Sequence, residues 1–502
     1  MTLVHNAVAN ALGGTIPGLA ALACLPFIVD YLGAADYGLL TVIASIVGYF
    51  AIIDISITSG AIKFIAEFRA KGESRAESGV VVFGLIVALI IGVIGCAGIL
   101  LFAESIITHV FRIPGERIES GVAALRIAAF GFFLAQIKQY LDSLPQALQR
   151  YTLSATVESM FGVLVPVLTV IVLFLGNGLE QVVLLRVACS AANVIVLAWL
   201  CRSLFPLFEW RLPERAVVRR VLPFSGFAYL SRLAALTYAH ADKLIIGAAL
   251  GMGAVAYYSI AYTLGTMVLS VTFRLSSIMY PAASALAATG QWERLKDAYF
   301  NTARYVFSIN AGVVLLIALF AREMMHYWIG AEFAAYGDWV MILTAVGMLI
   351  DSLTNLPSMI NDGLGHTRVS GLFAFTRACV GLALTLGFVG SFGINGVAAA
   401  HLLASAIMTT LFLCYVHGRT VPFKLSELLS SSYSRAGFVL LGIASVSALV
   451  RPERTLSLIE ALVLGSILTI TYVAASLLFV VRRDHLERVL HRVRTSQQPV
   501  VK

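Results

Sequence analysis

The chain has 502 residues, of which 59% are hydrophobic and 12% charged, with a formal net charge of +8 and a mean hydropathy of +0.90. These values exceed what a soluble core needs and exclude a water-soluble globular domain or a disordered chain. No strand-like alternation runs through the apolar segments, so a membrane β-barrel is excluded as well and an all-α, polytopic membrane protein remains.

A hydrocarbon core of ~30 Å takes about 20 apolar residues per helix. Fourteen runs have that length, at 10–31, 38–60, 79–102, 122–148, 153–175, 180–201, 224–251, 254–280, 302–320, 336–360, 369–389, 394–417, 432–450 and 456–481. They are numbered here as spans one to fourteen. Span one carries Gly13, Gly14, Pro17, Gly18 and Pro26, which predict a kink or break and make Pro17 and Pro26 candidate gating residues. Span four holds Arg126, about one turn inside its boundary and expected to snorkel, and Lys138, expected to pair with Asp142 one turn on. Glu158 lies in span five and Arg186 in the outer half of span six.

Span seven places Arg232 and Lys243 eleven residues apart, on one face with Ser225, Leu236 and Ala239. Its Asp242 adjoins Lys243 in sequence, so the two cannot pair with each other directly. In span eight Arg274 shares a stripe with Thr263, Ser270 and Ser277, span ten holds Asp351, and span eleven holds Arg377. At 1.5 Å per residue, Arg232, Arg274 and Arg377 lie about 10 to 13 Å inside the membrane from one side. Two further pieces read as interfacial: the tail around Leu486, Val489, Leu490 and Val493, flanked by arginines, and the connector from Trp292 through Leu295 to Tyr299.

Seven basic side chains inside spans (Arg126, Lys138, Arg186, Arg232, Lys243, Arg274, Arg377) would together cost on the order of 20 kcal/mol if they faced lipid. A polar interior is therefore required. The expected substrate-binding set is Arg232, Arg274, Arg377, Lys243 and Arg186, because so much positive charge at membrane depth suits a negatively charged ligand. The expected ion-coupling or gating set is Asp351, Glu158, Asp242, Pro17 and Pro26. Glu158 and Arg377 are further expected to form an ion pair that breaks during transport.

Of the 35 Lys and Arg residues, 23 fall in one class of loops and the tail, and five in the alternate loops. The positive-inside rule then places both termini in the cytoplasm. No basic residue precedes the first apolar run, so span one is expected to stay rather than be cleaved. The six cysteines lie in or at the ends of spans, with neither a disulfide framework nor a metal spacing.

An internal repeat runs at an offset of 218 residues: Leu32-Gly-Ala-Ala-Asp-Tyr-Gly against Leu250-Gly-Met-Gly-Ala-Val-Ala, Gly72 against Gly290, Arg150 against Arg368, and Gly178 against Gly396. It predicts two six-helix lobes related by a pseudo-two-fold axis along the membrane normal, with a site near the midplane. The expected organisation is an N-lobe at 1–205, a linker at 206–222, a C-lobe at 223–420, spans thirteen and fourteen at 421–481 and a basic tail at 482–502.

Leu32-Gly-x3-Tyr-Gly, Asp54-Ile-Ser, Asp242-Lys-Leu-Ile-Ile-Gly with Leu250-Gly, Tyr258-Ser-Ile-Ala and Trp328-Ile-Gly together resemble the polysaccharide transporter family. These are the Wzx-type flippases of the superfamily that also contains multidrug and toxin extruders. The chain departs from the pattern at Asp54-Ile-Ser, where Asp-Leu-Gly is usual, and at Ala256, where Gly is common. The resemblance implies alternating access of two lobes, a polyprenyl-pyrophosphate-linked oligosaccharide as substrate, the bacterial inner membrane as location, and polysaccharide polymerase and glycosyltransferases as partners of a monomer. It implies no cofactor beyond H+ or Na+ coupling, and nothing in the chain points to nucleic acid. An organic-cation extruder should present acids rather than seven bases. An integral-membrane polymerase or acyltransferase is disfavoured because the longest outer loop, 103–121, holds His109 and no nucleophile–base arrangement.

Overall fold

The computed structural model describes residues 3–50, 57–111, 113–206, 208–210, 233, 236–237, 239–277, 279–451 and 454–481, with backbone alone at 3–15, 57, 59, 267–275, 277 and 450. Among these residues ten helices are long and apolar enough to cross a membrane. Two of the ten are double. Leu3–Phe50 carries spans one and two around Gly33 (φ 73°, ψ 167°), and Thr367–Arg419 carries spans eleven and twelve around Gly393 (φ 59°, ψ −144°). Both glycines occupy backbone regions closed to residues with a Cβ, so the chain turns there without a loop. Span eight is the helix Met252–Ser277, and helical turns at 239–249 end span seven, whose start lies outside the described residues. The fourteen-span reading is thereby recovered.

The repeat is visible in the backbone as well as in the letters. Gly33 and Gly251, 218 residues apart, both take positive φ (73° and 90°), as do Gly72 and Gly290 (73° and 68°) at the same offset. The first pair closes spans one and seven, and the second closes the shorter helices Ile57–Ala70 and Met279–Ala288, where a left-handed residue ends the last turn.

The chain forms two compact units: Met1–Ser259 with Ala374–Val397, and Ile260–Phe373 with Ala398–Lys502. In the first unit, span three presents Gly84, Gly92 and Gly95 to the aromatic rings of span four. A Cβ at Gly84 would lie 2.1 Å from Tyr140, one at Gly92 2.9 Å from Phe133, and one at Gly95 2.1 Å from Phe132. Small residues at one-turn intervals are how membrane helices approach when lipid offers no hydrophobic drive for association. Tyr140, fully buried, donates from its hydroxyl to the Val81 carbonyl at 2.9 Å, which fixes the register of the two helices. Span five meets span one the same way, with Gly162 against Pro17. The Leu3–Phe50 helix runs on through Pro17 and Pro26, and its non-helical residue, Gly33, marks the junction of spans one and two.

In the second unit, spans thirteen and fourteen lie along span nine. Arg304 donates to the Ser431 carbonyl at 2.6 Å and Lys296 pairs with Glu427 at 2.6 Å near one end. Tyr472 donates to the Ser308 carbonyl at 2.7 Å midway, and Arg451 pairs with Glu323 at 2.8 Å at the other end. The connector read as interfacial is the start of the helix Trp292–Trp328, and Leu295 and Tyr299 are fully buried in this unit's core. Of Trp292, Leu295 and Tyr299 the first is exposed, and the other two pack on protein rather than facing lipid. The basic tail lies outside the described residues.

Candidate functional site: charged groups inside the membrane helices

The expected binding residues separate into three groups. Arg232 lies outside the described residues, and for Arg274 the helix backbone is described but the side chain is not. Arg377 and Lys243 are half-buried and engaged with other groups. Lys243 Nζ donates to the Ala239 carbonyl of its own helix at 3.3 Å. Arg186 is half-buried beside Tyr37, with a buried Nε that makes no hydrogen bond. No carboxylate pairs with it among the described residues.

The acids are equally divided. Asp242 is buried and accepts from the Tyr258 hydroxyl at 2.9 Å. The Asp-Lys motif of span seven and the Tyr-Ser motif of span eight therefore meet side chain to side chain. Asp351 is buried in span ten and engaged. Glu158 is exposed on span five and makes no ion pair or hydrogen bond among the described residues, Arg377 included.

Span four departs from expectation. Asp142 accepts from Gln146 Nε2 at 2.9 Å instead of pairing with Lys138, and Lys138 has no partner among the described residues. Arg126 behaves as a boundary residue, exposed and 3.7 Å from Glu104.

Two features carry no signal in the sequence reading. Asn193 is 3% exposed, and its Oδ1 makes no hydrogen bond. It sits seven residues after Arg186, so the two unsatisfied groups share one face of span six. Glu323, 2% exposed, accepts both Arg451 Nη2 contacts and the Leu456 amide at 3.2 Å, and Arg451 Nη1 donates to the Leu319 carbonyl. An apolar cleft of about 950 Å³ runs between spans nine, thirteen and fourteen, with Arg435 at one end and Arg451 at the other. Among the described residues no cluster of His, Cys, Asp and Glu could hold a metal ion.

Comparison with known proteins agrees with this picture. The chain is 20% identical to a Shigella flexneri protein whose name assigns it to O-antigen transport, over 84% of this chain and 98% of the relative. It is 23% identical to a Haloferax volcanii protein named as a low-salt glycan biosynthesis flippase, over 51% of this chain and 54% of that one. Its fold matches a multidrug resistance transporter of the MATE family in the MOP superfamily (TM-score 0.69, 17% identity, 84% of this chain and 96% of that one). It also matches a MOP superfamily transporter from Pyrococcus furiosus (TM-score 0.61, 18% identity, 85% and 95%). The family model described as "Polysaccharide biosynthesis protein" matches residues 3–287, more than half of the chain, which therefore belongs to that family.

Proposed function

We propose that the protein is a flippase, not an enzyme, that carries polyprenyl-pyrophosphate-linked oligosaccharide across the bacterial inner membrane by alternating access, for surface polysaccharide synthesis. The observation that carries this reading is basic charge held inside membrane helices, with Arg186 beside a tyrosine rather than a carboxylate. A pyrophosphate brings the missing negative charge, and arginine offers it paired donors. The sugar then crosses in a polar interior while the prenyl chain stays in lipid. Arg232, Arg274, Arg377, Lys243 and Arg186 form the anion-binding set, and Asp351, Glu158 and Asp242 are the carboxylates available for H+ or Na+ coupling. Both termini face the cytoplasm in this reading. The names of the Shigella and Haloferax relatives support the substrate class.

Replacing Arg232, Arg274 and Arg377 together by glutamine is expected to abolish export of surface polysaccharide while membrane insertion is retained. Export by cells is scored against protein level in isolated membranes. Normal export at a normal level defeats the charge argument.

A further inference from the structure

The geometry points to Lys138 as an anion-binding residue of the first unit, with Glu158 as the carboxylate that competes with the ligand for it. This rests on the reading of the protein as a carrier of an anionic head group, and adds to it a residue and an antagonist. Four observations support it.

Lys138 has no partner among the described residues, although Asp142 lies one turn away and is bonded to Gln146 instead. A lone ammonium within a membrane helix costs about 2.5 to 3.5 kcal/mol, a penalty that a ligand phosphate would relieve.

Gly131, Ala135, Lys138 and Asp142 follow one another at 3.6-residue spacing, while the exposed Arg126 and Phe130 lie about 100° around the helix. Gly131 on this small, polar stripe packs against Val187 of span six, and Ala135, one turn from Lys138, is exposed.

Span five supplies the opposite charge at the same depth. Ser154 Oγ donates to the Asp142 carbonyl at 3.3 Å, which fixes the register of spans four and five. One turn deeper on each antiparallel helix are Lys138 and Glu158, each about 10 to 13 Å from the nearest helix end. Glu158 also points away from lipid: the exposed apolar stripe of Met160, Leu164, Val167 and Ile171 lies about 150° from it.

The fourth observation is that Glu158 likewise has no partner among the described residues. The two charges stand level on neighbouring helices and do not neutralise each other. With no ion pair formed between them, Lys138 is open to an incoming pyrophosphate, and the nearby carboxylate of Glu158 repels the ligand's negative charge. Glu158 thereby weakens retention of the ligand and favours its release.

The test uses the purified full-length protein and farnesyl pyrophosphate as the probe, with farnesol as the uncharged control, read by a direct binding titration. Lys138→Met is expected to weaken farnesyl pyrophosphate binding about tenfold and to leave farnesol binding unchanged. Lys138→Arg, which keeps the charge if Lys138→Met fails to fold, is expected to stay within about threefold of the parent, and Glu158→Gln to bind severalfold tighter. In the Lys138→Met background Glu158→Gln is expected to have no further effect, because Glu158 acts through Lys138. If Lys138→Met binds normally while Arg377→Gln binds weakly, the inference fails and the anionic-ligand reading survives. If the parent protein does not prefer farnesyl pyrophosphate over farnesol, that reading fails and takes the inference with it. If Glu158→Gln still tightens binding without Lys138, the competition is wrong.

Discussion

Buried arginine and glutamate at the end of spans nine and thirteen show how a single pair can carry much of a helix docking. Glu323 is 2% exposed and Arg451 gives it two hydrogen bonds, at 2.8 and 2.9 Å, while the guanidinium stands 5.8 Å from the Phe320 ring. Removing one partner strands a buried charge, which costs about 3 to 5 kcal/mol, whereas replacing both by apolar groups of similar volume is often neutral. Arg451→Met is therefore expected to lower the melting temperature of the purified protein sharply, and Glu323→Leu with Arg451→Met to recover most of it. Equal melting of the single and double variants would show that the pair is not what holds spans thirteen and fourteen at this end. The same scale shows where sequence reading stops. Lys138 and Gln146 each stand four residues from Asp142, on opposite sides, and spacing alone cannot rank them. Lysine preceding the acid is the poorer orientation on a helix, and the structure gives Asp142 to Gln146. That outcome frees Lys138. Arg186, Asp242 and Glu158 were legible as polar outliers in apolar runs, but whether each is satisfied depends on residues far away in sequence, such as Tyr37 and Tyr258.

At the level of helices, the spans themselves were legible because membrane thickness imposes one length on every crossing. The junctions were legible too, since glycine is needed wherever the backbone turns left-handed, at Gly33, Gly72, Gly251 and Gly290. What hydropathy misses is which face each helix buries, because lipid and protein interior are equally apolar. The connector at 292–299 shows this: an amphipathic pattern that fits a lipid surface serves equally to bury Leu295 and Tyr299 in protein. Small residues carry the packing information instead. Gly84 faces Tyr140 so closely that a Cβ would stand 2.1 Å from the ring, whereas nothing lies within 4 Å of a Cβ at Gly387. Gly84→Val is expected to destabilise the first unit by about 1 to 3 kcal/mol through overpacking and separation of spans three and four. Gly387→Val, which meets no neighbour, should cost far less. Thermal unfolding of the two purified variants side by side decides the matter, and equal losses would refute the close contact.

For the molecule as a whole, topology follows from where positive charge is left uncancelled. Of the five arginines on the side sparse in basic residues, Arg117 pairs with Asp36 at 2.6 Å, Arg451 with Glu323 at 2.8 Å and Arg454 with Glu460 at 2.6 Å. The 23 basic residues of the opposite side and tail outnumber them several times over. The bias that orients membrane helices is this Lys and Arg count, and it predicts that the loop after span three lies outside the cell and the loop after span eight inside. Glu116 and Thr289 are exposed residues in those two loops, and the six native cysteines lie in or at the ends of spans, so a cysteine-free background isolates new labels. In that background Glu116→Cys is expected to react with a membrane-impermeant maleimide in intact spheroplasts, and Thr289→Cys only after the membrane is opened. The reverse pattern would invert the protein and reverse the charge argument. Labelling of both from outside would mean an even number of crossings between them in place of the expected five. That result would strike at span seven in particular, whose first half lies outside the described residues and which rests on its hydropathy and the placement of Lys243 and Asp242.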